Sequence, residues 1–256
     1  AEEVIALPKG DLRIQALNET TESSDDWRNA DYAAKYLKQA HDKPFFLACG
    51  IVRPHLPWIV PSKYFKLYDT ATVTLPTVDY NDLEDLPHGY SNGFSSKEHL
   101  LMTTQEWKMA TRAYLASTAF ADDCVGHLLY ALENSDYKNN TIVVLISDHG
   151  WHLGEKLQWR KSTLWEEGTR VPMMIFDPTI GTTGVCTKAV SLQDIYPTLI
   201  DLCGLPPKTG ISGRTIKPYI ENPIIDLPGL AISSYVRDTL LEHSIRTERW
   251  RLIRTD

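Results

Sequence analysis

No apolar run in these 256 residues reaches the length of a membrane span, and no charged segment followed by an apolar one opens the chain. The four cysteines, Cys49, Cys124, Cys186 and Cys203, lie far apart with no C-x-x-C pair, which argues against a zinc knuckle or a dense disulfide framework. Positive charge is short: 26 Lys and Arg against 33 Asp and Glu leave a net charge of -7. That balance argues against a nucleic-acid-binding surface, so any anionic ligand must be gripped by a local basic pocket. Internal repeats and low-complexity tracts are also absent. With 43% hydrophobic and 23% charged residues the chain is neither disordered nor fibrous, and it suffices for one core or a domain with a subdomain. The N-x-S/T triplets at Asn18 and Asn139 arise too often by chance to assign a compartment.

Apolar patterning predicts alternating helices and strands. Ser23 and Ser24 offer N-caps, Asp25 and Asp26 suit a helix start, and Trp27, Ala30, Ala34, Leu37 and Ala40 recur at helical spacing, giving a helix to about His41. The run Phe45 to Val52 reads as a strand buried on both faces, as in a parallel sheet. Residues 53 to 105, rich in Pro, Asp, Tyr and Asn, read as a long functional excursion. A helix over Thr111 to Leu132 follows, with Tyr114, Ser117, Ala121, Val125, Leu128 and Leu132 as its stripe. Strands over Thr141 to Ile146 and Val171 to Phe176 come next, then a helix from Ser191 to Cys203 ended by Gly204. The expected fold class is α/β, with residues 1–209 in the main domain and 210–256 starting a smaller C-terminal subdomain. Both ends look cut, so partner segments are expected upstream and beyond Arg254.

In open α/β sheets ligands gather beyond the carboxyl ends of strands. Arg53-Pro-His55-Leu-Pro57 follows the first apolar run and Ser147-Asp148-His149-Gly150 the second, so both runs deliver a histidine to one edge. Asp148 and His149 point to opposite faces of a regular strand and converge on one ion only if the backbone turns, which Gly150 eases. The plainer reading is a turn in which Asp148 satisfies loop amides. The stretch Ser147-Asp-His-Gly-Trp-His-Leu-Gly-Glu155, followed by Trp159, Lys161 and Thr169-Arg-Val-Pro172, resembles the sulfatase branch of the alkaline-phosphatase superfamily. The resemblance extends to Lys43-Pro-Phe-Phe-Leu-Ala48, to Tyr114-Leu-Ala-Ser117 with Asp122-Asp123, and to Val190-Ser-Leu-Gln-Asp-Ile-Tyr-Pro-Thr-Leu199. With P-H-x-P before S-D-H-G it is most similar to the iduronate-2-sulfatase-like branch.

That resemblance implies an alkaline-phosphatase/sulfatase-like, mainly parallel sheet flanked by helices. It also implies calcium-dependent hydrolysis of a sulfate ester on a sulfated carbohydrate, through a formylglycine nucleophile. Asp148 and His149 fall on two calcium ligands, Lys161 on the sulfate-contacting lysine, and His55 on a histidine that lines the sulfate or protonates the departing alcohol. Taken alone, Lys161 is a solvated lysine and His55 a structural histidine. Trp151 and His152 are read as sugar contacts, against the plainer reading of core residues. The family's C/S-x-P-x-R precursor motif does not occur; Cys49-Gly-Ile-Val-Arg53 imitates its spacing but has Ile51 in place of proline, and is a decoy. The alternatives are a phosphomonoesterase or phosphodiesterase of the same superfamily and a silent carbohydrate-binding scaffold. No nucleic-acid or membrane partner is expected, and relatives' polymeric substrates favour a periplasmic or secreted location, with the lysosome second.

Overall fold

The computed structural model describes residues 3–6, 12–86, 102–237 and 240–255. The chain divides into two compact units, one of residues 1–139 with 153–159 and one of residues 140–152 with 160–256.

In the first unit, Glu3–Ala6 (β1) pairs antiparallel with Arg13–Leu17 (β2), which pairs parallel with Trp58–Pro61 (β3). Helix Asp25–Leu37 (α1) is capped by Ser24, whose side chain accepts from Trp27 N, and packs Ala30, Ala33, Ala34 and Leu37 inward. It ends short of the expected His41 because the His41 ring is stacked on Tyr36 at 4.0 Å and meets Phe45 and Tyr137, while its backbone N–H donates to Tyr137 Oη. After a one-turn helix, Ser62–Phe65 (α2), the long helix Thr104–Glu133 (α3) starts earlier than its periodicity suggests, because Thr103 and Glu106 form a capping box.

The buried residues of α3 include Ala110, Ala113, Ala116, Phe120, Cys124 and the expected Ser117 and Leu132, whereas the expected Tyr114, Ala121, Val125 and Leu128 are half-buried. The small side chains among them admit close backbone approach by packed neighbours, which bulkier residues would prevent. Trp58 is fully buried and meets Tyr114 and Trp159 edge-on at 5.9 and 6.3 Å. Gly154, at φ 136°, lies under the Trp107 indole so closely that a Cβ would sit 2.4 Å from the ring, and Trp107 Nε1 donates to Leu153 O.

The run Phe45 to Val52 has no ladder partner among the described residues; it is extended, with Phe46 and Val52 exposed, not a strand buried on both faces. Its ties are to α1 instead, through Asn29 and Asp26. The 53–105 excursion contains β3 and α2, and its residues 87–101 lie outside the described ones.

In the second unit, Val143–Ile146 (β4) leads into the loop that opens on Ser147. His152–Leu153 (β5) and Trp159–Arg160 (β6) pair as a short ribbon, and Glu166–Thr169 (α4) is a single turn. Met173–Phe176 (β7) then pairs with β4 antiparallel. Within this unit the β4–β7 pair is antiparallel, whereas β2 and β3 of the first unit pair parallel. A 3-10 turn capped by Ser191 opens the helix Ile195–Leu202 (α5), and Gly204, at φ 63°, follows its end. Lys217–Glu221 (α6) precedes an antiparallel meander of Ala231–Arg237 (β8), Leu240–Arg246 (β9) and Arg251–Thr255 (β10). Residues beyond Gly210 thus share a compact unit with 160–209. Among the described residues no helix is long and apolar enough to cross a membrane.

Candidate active site

The loop after β4 turns sharply at Ser147 to Gly150. Ser147 Oγ donates to His149 O at 3.0 Å, and His149 N donates to Asp148 Oδ1 at 3.0 Å. The turn brings Asp148 Oδ2 to 3.5 Å from His149 Nε2, although neighbours on a straight strand would diverge. Gly150 N donates to Gly168 O, and a Cβ on Gly150 would lie 1.9 Å from Glu167 O, so only glycine lets the loop seat against the α4 turn. That turn is itself held by Arg251, which donates to Leu164 O, Thr169 Oγ1 and Glu166 Oε2.

The protonation of His149 follows from its partners. Gly150 O lies 2.8 Å from Nδ1, and a carbonyl can only accept, so Nδ1 carries the hydrogen and Nε2 the lone pair. Lys161 Nζ, 2.9 Å from Nε2, donates to that lone pair. Lys161 sits between Arg160 at φ 75° and Ser162 at φ 72°, two left-handed residues without glycine's freedom, each costing about 1–2 kcal/mol. Backbone held there against its preference is a common mark of functional loops.

Asp148 offers an exposed carboxylate and His149 an imidazole Nε2, donor types suited to a hard divalent cation, although Nε2 here takes Lys161 Nζ. Among the described residues no group of three or more His, Cys, Asp or Glu is placed to hold a metal ion. The donor set therefore fits as half of a site. His152 is fully buried, with Nε2 2.7 Å from Thr163 Oγ1 and Nδ1 4.0 Å from Glu167 Oε2. A ring with no outward surface cannot meet a sugar, so the reading of His152 as a sugar contact is corrected to a support of the loop. Trp151 beside it is half-buried.

His55 lies in the first unit, and Asp148, His149 and Lys161 lie in the second. The His55 side chain is exposed, its backbone N–H donates to Val52 O, and Nδ1 lies 2.7 Å from Leu56 O. Nδ1 is again the protonated nitrogen, so Nε2 is the one that gives or takes a proton. Sequence reasoning missed Asp26, whose carboxylate receives Val52 N and Arg53 N, and Arg251; neither position carries a motif.

The family model for the sulfatases matches residues 7–205. The chain belongs to the sulfatase family. A Formosa agariphila sulfatase is 32% identical over 235 residues, covering 89% of this chain and 45% of that protein. Mouse iduronate 2-sulfatase is 31% identical over 203 residues, covering 64% of this chain and 36% of that protein. The chain thus spans less than half the length of these relatives. Among solved structures, BT4656 in complex with its substrate D-glucosamine-2-N,6-O-disulfate aligns over 94% of this chain and 61% of its own, at TM-score 0.70 and 21% identity. The phosphonate monoester hydrolase of Agrobacterium radiobacter aligns over 93% of this chain and 54% of its own, at TM-score 0.77 and 20% identity. The fold is that of the alkaline-phosphatase and sulfatase group.

Proposed function

We propose that the sulfatase-family chain serves in hydrolysis of a sulfate monoester on a sulfated carbohydrate, outside the cytoplasm, with Asp148 and His149 as calcium ligands. The observation that carries this reading is the cluster of Asp148 and His149, on the loop seated by Gly150, with Lys161, which two left-handed residues flank. The glucosamine disulfate bound by one neighbour of the same fold supports the carbohydrate class. Calcium, when bound, supplies positive charge that polarises the sulfate oxygens. The formylglycine nucleophile implied by the family has no precursor motif in these residues.

His149 brings a preset tautomer, because the Gly150 carbonyl engages Nδ1 and leaves Nε2 as the ligand atom once Lys161 turns from it to the sulfate. Lys161 brings an ammonium that offsets the charge gathering on the sulfate oxygens, a preorganised contact worth roughly 2–4 kcal/mol. His55, with Nδ1–H engaged by Leu56 O, delivers a proton from Nε2 to the departing sugar oxygen. Trp151 is the remaining candidate for a sugar contact.

The test is sulfate release from sulfated glucosamine by the complete protein after chelation and readdition of calcium. Activity restored by calcium and lost in Asp148→Ala is expected. Turnover of a phosphonate ester with none of the sulfate ester would overturn the reading in favour of a phosphoesterase. Sugar binding without turnover would overturn it in favour of a silent scaffold.

A further inference from the structure

We infer that Asp26 is a positioning residue for His55: its buried carboxylate, presented by the first turn of α1, holds the backbone turn on which His55 stands. The inference rests on the role proposed for His55 above. An acidic residue in a first helical turn ordinarily faces water or the helix's own free amides. Asp26 does neither. It is 5% exposed, and the cap of α1 is already made by Ser24. Its Oδ1 accepts from Val52 N at 2.9 Å and its Oδ2 from Arg53 N at 3.0 Å, so each oxygen takes one amide of a distant segment. Burying a carboxylate is unfavourable unless such bonds compensate it, which makes the pairing specific and not incidental.

The segment needs this support. Pro54 and Pro57 have no N–H, and Phe45 to Val52 has no strand neighbour among the described residues, so no ladder fixes the chain before His55. Val52 and Arg53 supply the last backbone donors before the turn, and Val52 O accepts the N–H of His55 itself. Asn29, one turn along α1, donates to Gly50 O at 3.1 Å, and the buried Trp58 donates through Nε1 to Pro54 O at 2.9 Å. The backbone of the turn is tied on both sides while the His55 ring stands exposed, which is the arrangement a proton donor requires.

The experiment uses the complete enzyme with Asp26→Asn, which keeps one acceptor oxygen but turns an amide group toward the other backbone N–H. A misplaced turn should lower kcat roughly ten-fold on a sulfated sugar and less on an activated aryl sulfate, with KM little changed. In a His55→Ala background the same substitution should add less than about two-fold, because the group it positions is gone. An equal loss with and without His55 would overturn the inference.

A second readout does not involve turnover. With histidines labelled at Cε1, the His55 ring signal should shift or broaden in Asp26→Asn while the other histidine signals hold. An unchanged His55 signal would overturn the inference. If His55→Ala leaves turnover intact, the functional reading of His55 fails, and the ring signal alone then decides the positioning. Should Asp26→Asn fail to fold, Asp26→Glu keeps the charge but displaces the carboxylate by one methylene, and it is read by the same two measurements with the same outcomes.

Discussion

At the scale of single residues, contacts closer than any side chain can tolerate are the sharpest constraints. Gly150 is one: the carbonyl of Glu167 occupies the place of its Cβ. Gly150→Ala must separate the Asp148–His149 loop from the α4 turn, and a loss of about 1–3 kcal/mol in unfolding free energy is expected, measured by urea denaturation. An unchanged midpoint would mean the two backbones are not in contact. Lys161 gives a kinetic counterpart. Lys161→Ala should cost about 10²–10³-fold in kcat/KM while leaving the unfolding midpoint near its original value, since the strained residues are its neighbours and not itself.

The cysteines separate by burial. Cys124 is fully buried on α3, and burial, aided by the negative charges of Asp26 and Asp123, pushes its thiol up to about 12. It is therefore a neutral thiol at pH 7 to 9, and iodoacetamide should modify the exposed Cys203 well before it, as read by peptide mass spectrometry.

Between elements, the ties are ionic where the meander meets α4, while α1 and α3 join through the stacked Trp27 and His127 and the His127–Asp31 contact. Burial pushes the Glu166 carboxyl up, but hydrogen bonds from Arg251 and Arg246 outweigh it and hold the group below its ordinary 4.5. A depressed folded-state value stabilises the fold at pH above 4.5, and this contribution disappears as pH falls through the depressed value. Glu166→Gln should therefore flatten the acid limb of the stability curve below pH 4.5 and shift the midpoint at pH 7. Equal pH profiles for the two proteins would remove the ion pair from the account. Ala116, on α3, is fully buried. Hydrophobicity ranks Val125 and Leu128 above alanine, whereas close packing favours the small Ala110, Ala113 and Ala116 at the buried positions of α3.

At the scale of the whole molecule, not every apolar run becomes a strand. Phe45 to Val52 is an apolar run with exposed Phe46 and Val52, held by α1 through two side chains. Cys49 stands within it, half-buried, its thiol raised by burial and then by Asp26, the opposite of an activated nucleophile. Cys49→Ala in the complete enzyme should keep turnover within about three-fold apart from a small packing effect. Abolished turnover in a folded variant would return Cys49 to the list of nucleophiles.

What the amino-acid sequence determined by itself is local or motif-borne. Ser24 and the two aspartates start α1, Ser191 opens α5, Gly204 follows its end, and S-D-H-G after an apolar run marks the candidate loop. Each depends on neighbours a few residues away, through capping bonds, dihedral preferences or side-chain period. Only the tertiary structure decided the rest. His149 owes its tautomer to a turn that folds the Gly150 carbonyl back onto Nδ1, and His152 became a buried support because Thr163 closes over it. Asp26 reads as an ordinary first-turn acid until Val52 and Arg53 are brought to it from a segment far along the chain. A carboxylate can satisfy its charge with whichever amides the fold delivers, and that delivery is a long-range event with no periodicity to announce it.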